Sequence, residues 1–467
     1  MRKNPVKEIR HANESSVGLI LLKWLYRAIL LLSMMAGVCR FSTMPVKLMS
    51  AECAAVLGAY TVLLLFTHHI YRATDVGMAT ISELVLSQLL SNMISVGLVY
   101  LGVALYVHKL FNPLPLFVVS LVQLLIGVLW TVYANHYHYS KRRKPRTAII
   151  YRDEALLEQL RNSPYFDEKY DICKLIENPA NDIAGLRQQL EGCEVLFTIG
   201  IPAELTNGLS KICLEMDMVG YFMPRLGHII LAGADYMSRF SVPMLRVRRA
   251  GGHSEYRFIK RAFDLICASI GLIVLLPVML ITAIAIWAED QGPVFYRQVR
   301  LTRNGREFRI LKFRSMTVNA EKDGVARLAG ENDSRITRVG RFIRACRIDE
   351  LPQLINIIKG DMSIVGPRPE RPEIARQYEK TLPEFALRLQ VKAGLTGLAQ
   401  VYGRYNTEPY HKLQMDLMYI NEMSFLKDLQ LIMATVKILF IKDSTQGIAQ
   451  GQETALSDKS AGPAKSA

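Results

Sequence analysis

The chain has 467 residues, of which 50% are hydrophobic and only 21% are charged. This composition excludes an intrinsically disordered chain, because such chains combine low hydrophobicity with high charge. The 57 Lys and Arg residues outnumber the 42 Asp and Glu residues, which leaves a formal net charge of +15. A soluble nucleic-acid-binding protein would account for the charge but not for the apolar content. We therefore expect membrane helices, a basic surface that faces anionic lipid or phosphorylated molecules, and no nucleic-acid partner.

Long apolar runs occupy the amino-terminal part of the chain. They lie at about Val17–Cys39, Ser50–Ile70, Ile81–Val107 and Leu114–Asn135. Each run can cross a bilayer, which takes roughly 20 residues per helix. Basic residues are concentrated before the first run and after the last, so the positive-inside bias places both ends of the bundle in the cytoplasm. We predict that residues 1–146 form an α-helical four-span N-terminal bundle that anchors a multi-pass membrane protein.

Residues 147–245 alternate between short β-type runs and amphipathic helical segments, which predicts a small, Rossmann-like α/β cytoplasmic domain with a parallel sheet. A dinucleotide-binding domain of this kind carries G-x-G-x-x-G after its first strand. Here the first strand runs into Tyr151-Arg152-Asp153-Glu154, which contains no glycine. We therefore expect a structural or regulatory domain. A basic stretch followed by two glycines predicts a linker over residues 246–257.

Another apolar run, Leu265–Ala288, has Pro277 near its middle. Its length permits a fifth span, but basic residues flank both ends, which places both ends on the cytoplasmic side. Proline removes one helical hydrogen bond and bends the axis. We therefore predict a re-entrant membrane helix, broken at Pro277, that enters and leaves through one leaflet. The alternative is an ordinary membrane span.

The acidic pair Asp349-Glu350 lies in a region dense in arginine, whose guanidinium groups pair with phosphate oxygens through two parallel hydrogen bonds. Apolar residues at helical spacing follow the pair, and Gly360 is a natural stop, so we expect a helix that begins at about Asp349. Free N–H groups and the helix dipole favour negative charge at that end. We therefore expect a phosphate site and a lowered pKa for Asp349. The alternative is an aspartate that merely caps the helix.

Three ordered motifs carry a resemblance to a known family. They are Ile348-Asp349-Glu350-Leu351-Pro352-Gln353-Leu354 with Gly360-Asp361-Met362-Ser363-Ile364-Val365-Gly366-Pro367-Arg368-Pro369, then Lys392-Ala393-Gly394-Leu395-Thr396-Gly397-Leu398-Ala399-Gln400-Val401-Tyr402-Gly403-Arg404, and Asp416-Leu417-Met418-Tyr419-Ile420. Through them, residues from about 255 to 445 resemble the bacterial sugar transferases, which are monotopic phosphoglycosyl transferases. The four-span anchor and the α/β domain resemble the long subfamily that starts exopolysaccharide or capsule synthesis.

The resemblance implies that residues 258–445 form an α-rich monotopic catalytic domain. Residues 446–467 are mostly small and polar, so we expect a disordered tail there. The resemblance also implies transfer of sugar-1-phosphate from a UDP-sugar to undecaprenyl phosphate, with release of UMP, on the cytoplasmic face of the bacterial inner membrane. By the family pattern, Asp349 forms a covalent phosphosugar intermediate and Glu350 is associated with Mg²⁺. The residues implied to line the phosphate and nucleotide site are Lys312, Arg344, Arg368, Arg404 and Asp416.

Two other functions are compatible with parts of the sequence. A membrane-anchored, NAD-dependent nucleotide-sugar dehydratase would pair spans with an α/β domain, but it requires the glycine-rich turn that is absent at 151–154. A non-catalytic scaffold of polysaccharide assembly would explain the spans but not the clustered arginines and the acidic pair. The sequence leaves open the sugar, the ligand of the 147–245 domain and whether the chain forms a homo-oligomer.

Overall fold

The computed structural model describes residues 5–40, 51–77, 79–141, 143–163, 166–239, 242–249, 254–318, 333, 335–403 and 408–439. Arg404, the predicted tail 446–467 and part of the predicted linker lie outside the described residues. The chain folds into two compact units, Met1–Pro224 and Arg225–Ala467.

The first unit begins with long apolar helices: α1 (Pro5–Arg40), α2 (Ala51–Tyr71), α3 (Ile81–Val107) and α4 (Leu114–Lys141). Each contains a stretch that is long and apolar enough to cross a membrane, in close agreement with the predicted runs. Their outer faces expose many large apolar side chains, as expected of helices that face lipid. The protein is therefore membrane-associated through these helices.

Neutral polar side chains point inward between these helices. The Gln123 amide donates to the Tyr60 hydroxyl at 2.9 Å, and the Ser91 hydroxyl donates to Thr67 Oγ1 at 2.7 Å. All of these side chains are buried. Such hydrogen bonds hold helices together where no hydrophobic driving force acts between them. This arrangement, apolar outside and hydrogen-bonded inside, is typical of a membrane bundle.

The rest of the first unit is a small α/β domain. Its elements are β1 (Arg146–Tyr151), α5 (Glu154–Arg161), α6 (Phe166–Lys169), β2 (Asp171–Glu177), α7 (Ile183–Gln189), β3 (Val195–Ile199), α8 (Ala203–Glu215) and β4 (Val219–Phe222). The strands form one parallel sheet in the order β2-β1-β3-β4, so the predicted small parallel sheet is confirmed. The central strand β1 is buried over Thr147–Ile150, as expected when helices cover both faces of a sheet.

The second unit combines helices with short strands. In chain order these are α9 (Leu226–Ala232), β5 (Asp235–Arg239), β6 (Val242–Arg246), α10 (Ser254–Asp290), β7 (Phe295–Leu301), β8 (Glu307–Phe313), α11 (Arg338–Ala345), α12 (Gln353–Lys359), β9 (Met362–Val365), α13 (Pro372–Thr381), β10 (Ala393–Thr396), α14 (Leu398–Tyr402), α15 (Pro409–Asn421) and α16 (Phe425–Ile438). Strands β7 and β8 form an antiparallel hairpin, whereas β9 and β10 pair in parallel. One apolar core joins α10, α12, β9, α15 and α16.

The boundary between the units differs from the predicted domain boundary at residue 245. The segment after Pro224 packs with the second unit, since Ile229 of α9 is buried in the same core as Leu413 and Leu417. The Asn421 side chain donates to the Ile229 carbonyl at 2.6 Å. The local sequence does not say which core buries the apolar face of α9.

Helix α10 runs without interruption over 37 residues and contains Pro277. Helical backbone therefore continues on both sides of Pro277, and the bend of the helix axis at this residue stays a prediction. A proline removes one backbone hydrogen bond, and the bonds of the flanking turns maintain the helical path. The helix is also long enough and apolar enough to be a candidate span, over Tyr256–Asp290.

One face of α10 packs on the second unit along its whole length. Near its start, Lys260 pairs with Asp428 of α16 at 2.5 Å. In its first half Ala268 is fully buried, and at its end Asp290 pairs with Arg314, which follows β8. The opposite face exposes a continuous series of large apolar side chains: Ile266, Ile270, Ile273, Val274, Ile281, Ile284 and Trp287. Both ends of α10 therefore contact the same unit.

Candidate active site

The acidic pair lies in a tight turn between two helices. Asp349 and Glu350 belong to a 3₁₀ turn, Ile348–Glu350, and α12 follows from Gln353. Arg347, which precedes the turn, has a left-handed backbone with φ 57° and so reverses the chain after α11. The pair thus lies one short turn earlier than predicted, immediately before α12 instead of within its first residues.

Glu350 is held by two cations. Lys312 Nζ lies 2.8 Å and Arg368 Nη2 lies 3.1 Å from the same carboxylate oxygen, Oε1. Burial acts to raise the pKa of Glu350, but the two cations outweigh it and hold the pKa well below its usual range. Burial lowers the pKa of Lys312. Three of the predicted site residues, Lys312, Glu350 and Arg368, are therefore brought together.

The position of Lys312 follows from the way that β8 is fixed to α12. The buried Asn356 side chain accepts a hydrogen bond from the Leu311 N–H and donates one to the Arg309 carbonyl, both at 2.9 Å. Asn356 thus completes the free edge of β8 as a neighbouring strand would. Since Asn356 is on the helix that starts beside the acidic pair, this contact sets the reach from Lys312 to Glu350.

The Asp349 carboxylate is different from that of Glu350. Among the described residues, no side chain donates a hydrogen bond to it or forms an ion pair with it. Burial raises its pKa, and the negative charge of Glu350 adds to the increase. Nearby cations, including Lys312 and Arg344, oppose this shift without reversing it. The expected lowering of the Asp349 pKa is therefore wrong, because burial outweighs the helix terminus and the arginines.

Arg344 is in the last turn of α11, and its charge acts on Asp349. Helix α11 is fixed at its start by α10, because Glu289 Oε1 accepts a hydrogen bond from the Arg338 N–H at 2.8 Å. The same region contains Arg347, whose charge acts on both Asp349 and Glu350. Arg404 lies outside the described residues.

Arg368 belongs to a segment rich in proline, Pro367–Glu370, that follows β9. Each of its successive carbonyls accepts a hydrogen bond from outside the segment. The donors are Gly394 N–H to Pro367 at 2.9 Å, Arg388 Nη2 to Arg368 at 3.0 Å, Arg300 Nη1 to Pro369 at 3.1 Å and Leu301 N–H to Glu370 at 3.0 Å. Prolines have no N–H to donate, so this segment is fixed through its acceptors.

Glycines permit the close approach of β9 and β10 beside this segment. A Cβ on Gly394 would collide with the backbone of Gly366, and a Cβ on Gly397 would collide with the Gly366 carbonyl. The Gly366 N–H donates to the Thr396 carbonyl at 2.8 Å. These glycines of the two family motifs are therefore needed for backbone contact.

Asp416 does not line an open site. It is 1% exposed on α15, and its Oδ2 lies 2.7 Å from Nη2 of Arg388, which is 3% exposed. Burial raises the pKa of Asp416 to about 6, although Arg388 acts in the opposite direction. The structure thus places Asp416 behind the site, in contact with the residue that holds the Arg368 carbonyl.

The site residues named from the sequence do not include Arg388 or Arg300. Arg388 lies in a 3₁₀ segment, Pro383–Gln390, where its guanidinium also lies over the Phe385 ring, 4.8 Å from the centroid. A signal was available, since Arg388 is a charged residue within an otherwise apolar run. Such a residue is buried only when it is paired.

The described residues contain no group of three or more His, Cys, Asp or Glu side chains that could hold a metal ion. Mg²⁺, however, is usually held by one or two carboxylates together with phosphates and water. The described side chains donate two hydrogen bonds to the Glu350 carboxylate, and Oε1 accepts both of them. Asp349 is the adjacent residue. The donor set therefore fits a magnesium ion shared with a phosphorylated substrate.

A model of the bacterial sugar transferase family matches residues 255–442. A UDP-glucose:undecaprenyl-phosphate glucose-1-phosphate transferase of Escherichia coli is 31% identical over 337 residues, which cover 67% of this chain and 70% of that protein. A protein of the same name from Caulobacter vibrioides is 42% identical over 190 residues, 40% of this chain and 71% of that protein. A UDP-N-acetylgalactosamine-undecaprenyl-phosphate N-acetylgalactosaminephosphotransferase of Aeromonas hydrophila is 41% identical over 187 residues, 39% of this chain and 44% of that protein.

Proposed function

Because the chain belongs to the bacterial sugar transferase family, we propose that this enzyme transfers sugar-1-phosphate from a UDP-sugar to undecaprenyl phosphate and releases UMP. The relatives support the class of reaction, since their names specify undecaprenyl phosphate as acceptor and UDP-glucose or UDP-N-acetylgalactosamine as donor. The sugar of this enzyme stays open between such donors. The product is the first lipid-linked sugar of an exopolysaccharide or capsule.

The observation that carries the proposal is the contrast between the two adjacent carboxylates. Glu350 is fixed by Lys312 and Arg368, whereas no described side chain pairs with Asp349. A carboxylate without an ion-pair partner keeps its oxygen lone pairs free for nucleophilic attack. The neighbouring cations are placed to stabilise the negative charge that develops on the phosphate oxygens.

The reaction then proceeds in two displacements at one site. In the first, an Asp349 oxygen attacks the β-phosphorus of the UDP-sugar, the bond from this phosphorus to the bridging oxygen breaks, and UMP leaves. In the second, a phosphate oxygen of undecaprenyl phosphate attacks the phosphorus of the sugar-phosphoryl-aspartate and frees Asp349. Two steps let a water-soluble donor and a lipid acceptor use the site in turn.

Glu350, next to Asp349, is the residue that would hold Mg²⁺ in this enzyme. When bound, such an ion would neutralise phosphate charge and orient the diphosphate of the donor. Lys312, Arg344 and Arg368 supply positive charge to the same place from the protein itself, as the electrostatic influence of all three on the acidic pair supports. Their separate positions on β8, α11 and the turn after β9 surround the acidic pair.

The membrane arrangement is part of the proposal. We place the helices α1 to α4 across the bacterial inner membrane as four spans, with the second unit at the cytoplasmic face. Contact of both ends of α10 with the same unit supports a helix that enters the membrane without crossing it. Its exposed apolar face would then contact lipid, and the site would lie near the headgroups that carry the acceptor phosphate.

The β1–α5 turn gives no support to a dinucleotide-dependent dehydratase. The Asp153 carboxylate accepts a hydrogen bond from the Leu156 N–H at 3.2 Å and so caps α5. A pyrophosphate would need the amino end of this helix, where Asp153 places a negative charge instead. The Rossmann-like domain is therefore proposed as a structural or regulatory module.

The test is UMP release by the purified, membrane-reconstituted enzyme given Mg²⁺, undecaprenyl phosphate and a panel of UDP-sugars. We expect Asp349→Asn to lower the rate at least about 1,000-fold, because it removes the nucleophile. Intact mass spectrometry without acceptor should show a sugar-phosphate adduct on the wild-type chain and none on the variant. Asp361→Asn, at a carboxylate that pairs with the exposed Arg306, is the matched control and should retain activity. Normal turnover by Asp349→Asn would rule out the covalent route.

A further inference from the structure

Building on the proposed function, we propose that Arg388 and Asp416 are positioning residues, which fix the backbone of Arg368 so that its guanidinium meets Glu350. Neither touches the reacting atoms in this arrangement. Asp416 holds Arg388, Arg388 holds the Arg368 carbonyl, and Arg368 holds Glu350. The three contacts are 2.7, 3.0 and 3.1 Å long and form one continuous chain from the interior to the site.

The backbone of the segment Pro367–Glu370 needs side chains that fix its path. It belongs to no helix or strand, and two of its four residues are prolines. Regular secondary structure therefore does not define its path, and the hydrogen bonds to its carbonyls must do so. Backbone N–H groups of β-strand residues hold the first and last carbonyls, Pro367 and Glu370. Guanidinium groups, from Arg388 and Arg300, hold the two carbonyls between them.

The contacts of the Arg388 guanidinium suit this positioning role. Its Nη2 contacts both the Asp416 carboxylate and the Arg368 carbonyl, and its Nη1 lies 3.5 Å from Glu370 Oε1. A guanidinium is planar and rigid, so the Asp416 carboxylate beside Nη2 and the Glu370 carboxylate near Nη1 together fix the plane from which Nη2 donates to the Arg368 carbonyl. Lysine cannot reproduce this geometry, although it would keep the charge.

Stability alone gives a weak reason for this ion pair. Removing two charges from water is costly, and well-packed apolar side chains in their place are often as stable or more stable. The contribution of Arg388 and Asp416 is therefore expected in geometry. The Arg368 side chain is long and 39% exposed, so a displaced backbone would move its tip away from Glu350. A misplacement of roughly 1 Å can lower a rate about 100-fold.

The decisive variant replaces the pair by apolar residues of similar size, Arg388→Met with Asp416→Leu. We expect the folded protein to keep its thermal unfolding temperature within a few degrees, because the buried charges are removed together. The kcat for UMP release should fall about 10- to 100-fold, with the KM for the UDP-sugar changed by less than about 3-fold. A folded double variant with the wild-type kcat would overturn the proposal.

A second measurement covers the case in which the double variant fails to fold. Arg388→Lys should lower kcat about 10-fold in the wild-type background and should add little in an Arg368→Ala background, because the effect passes through Arg368. A merely structural role would give losses that multiply. Independent losses in this cycle would therefore contradict the positioning role.

Hydrogen–deuterium exchange separates this proposal from the proposed function. Arg388→Lys should speed exchange within residues 366–371. Arg261→Lys is the matched control, because Arg261 donates to the Ile357 and Ile358 carbonyls at 2.6 and 2.9 Å, and faster exchange is expected near residues 357–361 instead. A wild-type enzyme that releases no UMP from any donor would defeat the proposed function, whereas unchanged exchange at 366–371 in Arg388→Lys would defeat the positioning role.

Discussion

The two units bury polar side chains of different kinds. Between the helices of the first unit the buried groups are neutral hydroxyls and amides, such as Thr67 with Ser91 and Gln123 with Tyr60. In the second unit they include ion pairs, such as Lys260 with Asp428. Neutral hydrogen bonds join helices at a small desolvation cost, whereas paired charges require a network that satisfies each partner. The difference indicates that the buried polar side chains of the first bundle only hold its helices together. Those of the second unit also hold charged groups in fixed positions.

The largest expected effect is at Asp428, which is 1% exposed and joins α10 to α16. Its carboxylate accepts hydrogen bonds from Lys260 at 2.5 Å, Tyr256 at 2.8 Å and Tyr419 at 2.7 Å. Asp428→Ala should lower the free energy of unfolding by about 3–5 kcal/mol, because it leaves these donors without their acceptor. Chemical denaturation in detergent would measure the change in the free energy of unfolding. A loss below about 1 kcal/mol would show that this charged network contributes no more than the neutral hydrogen bonds of the first unit.

Glu350→Gln should affect catalysis more than stability. The neutral amide would no longer attract Lys312 and Arg368, and we expect kcat to fall about 100-fold. UMP release measures the loss, and Glu379→Gln on α13 serves as a carboxylate control. Equal activities of the two variants would contradict a site organised around Glu350.

The pH dependence of stability tests the buried charge of Asp416. Its pKa of about 6 in the folded state lies above the unfolded value of about 3.9. Its protonation therefore contributes stability that is complete below about pH 4 and is lost as the pH rises through about 6. Relative to Asp416→Asn, the wild-type unfolding free energy should fall by about 2 kcal/mol over this interval. Parallel pH curves for the two proteins would show that Asp416 does not titrate in this way.

The smallest effect is expected within the first bundle. Ser91→Ala removes the neutral hydrogen bond to Thr67, and such interhelical bonds average about 0.6 kcal/mol in membrane proteins. Unfolding of the isolated variant in mixed micelles would measure the change. A loss comparable to that of Asp428→Ala would show that neutral and charged networks do not differ as described.

The sequence was sufficient for features that depend on contiguous residues. The apolar runs predicted α1 to α4, alternation predicted the parallel sheet, and the motif around Asp349-Glu350 predicted where the acidic pair lies. The family resemblance named Lys312 and Arg368, which the structure brings to Glu350.

The failures concern quantities that depend on packing. The dipole of a helix terminus predicted a lowered pKa for Asp349, but burial of this carboxyl group in the folded chain raises the pKa instead. No non-helical segment interrupts α10 at Pro277, and the bend predicted there stays a prediction. An arginine in an apolar run signals a buried, paired charge, but it does not name the partners of Arg388, because Asp416 and the Arg368 carbonyl lie 28 and 20 positions away in the chain.

The prolines beside Arg368 have a consequence for the unfolded chain as well. Pro367 and Pro369 have a fixed φ before folding begins, so ordering this turn costs less conformational entropy than it would for ordinary residues. Replacing Pro369 by alanine would keep the backbone carbonyl that Arg300 binds. It would also increase the number of conformations that the unfolded chain loses when this turn forms. The proline rings therefore restrict the backbone of the turn that contains Arg368 even before the chain folds or binds a substrate.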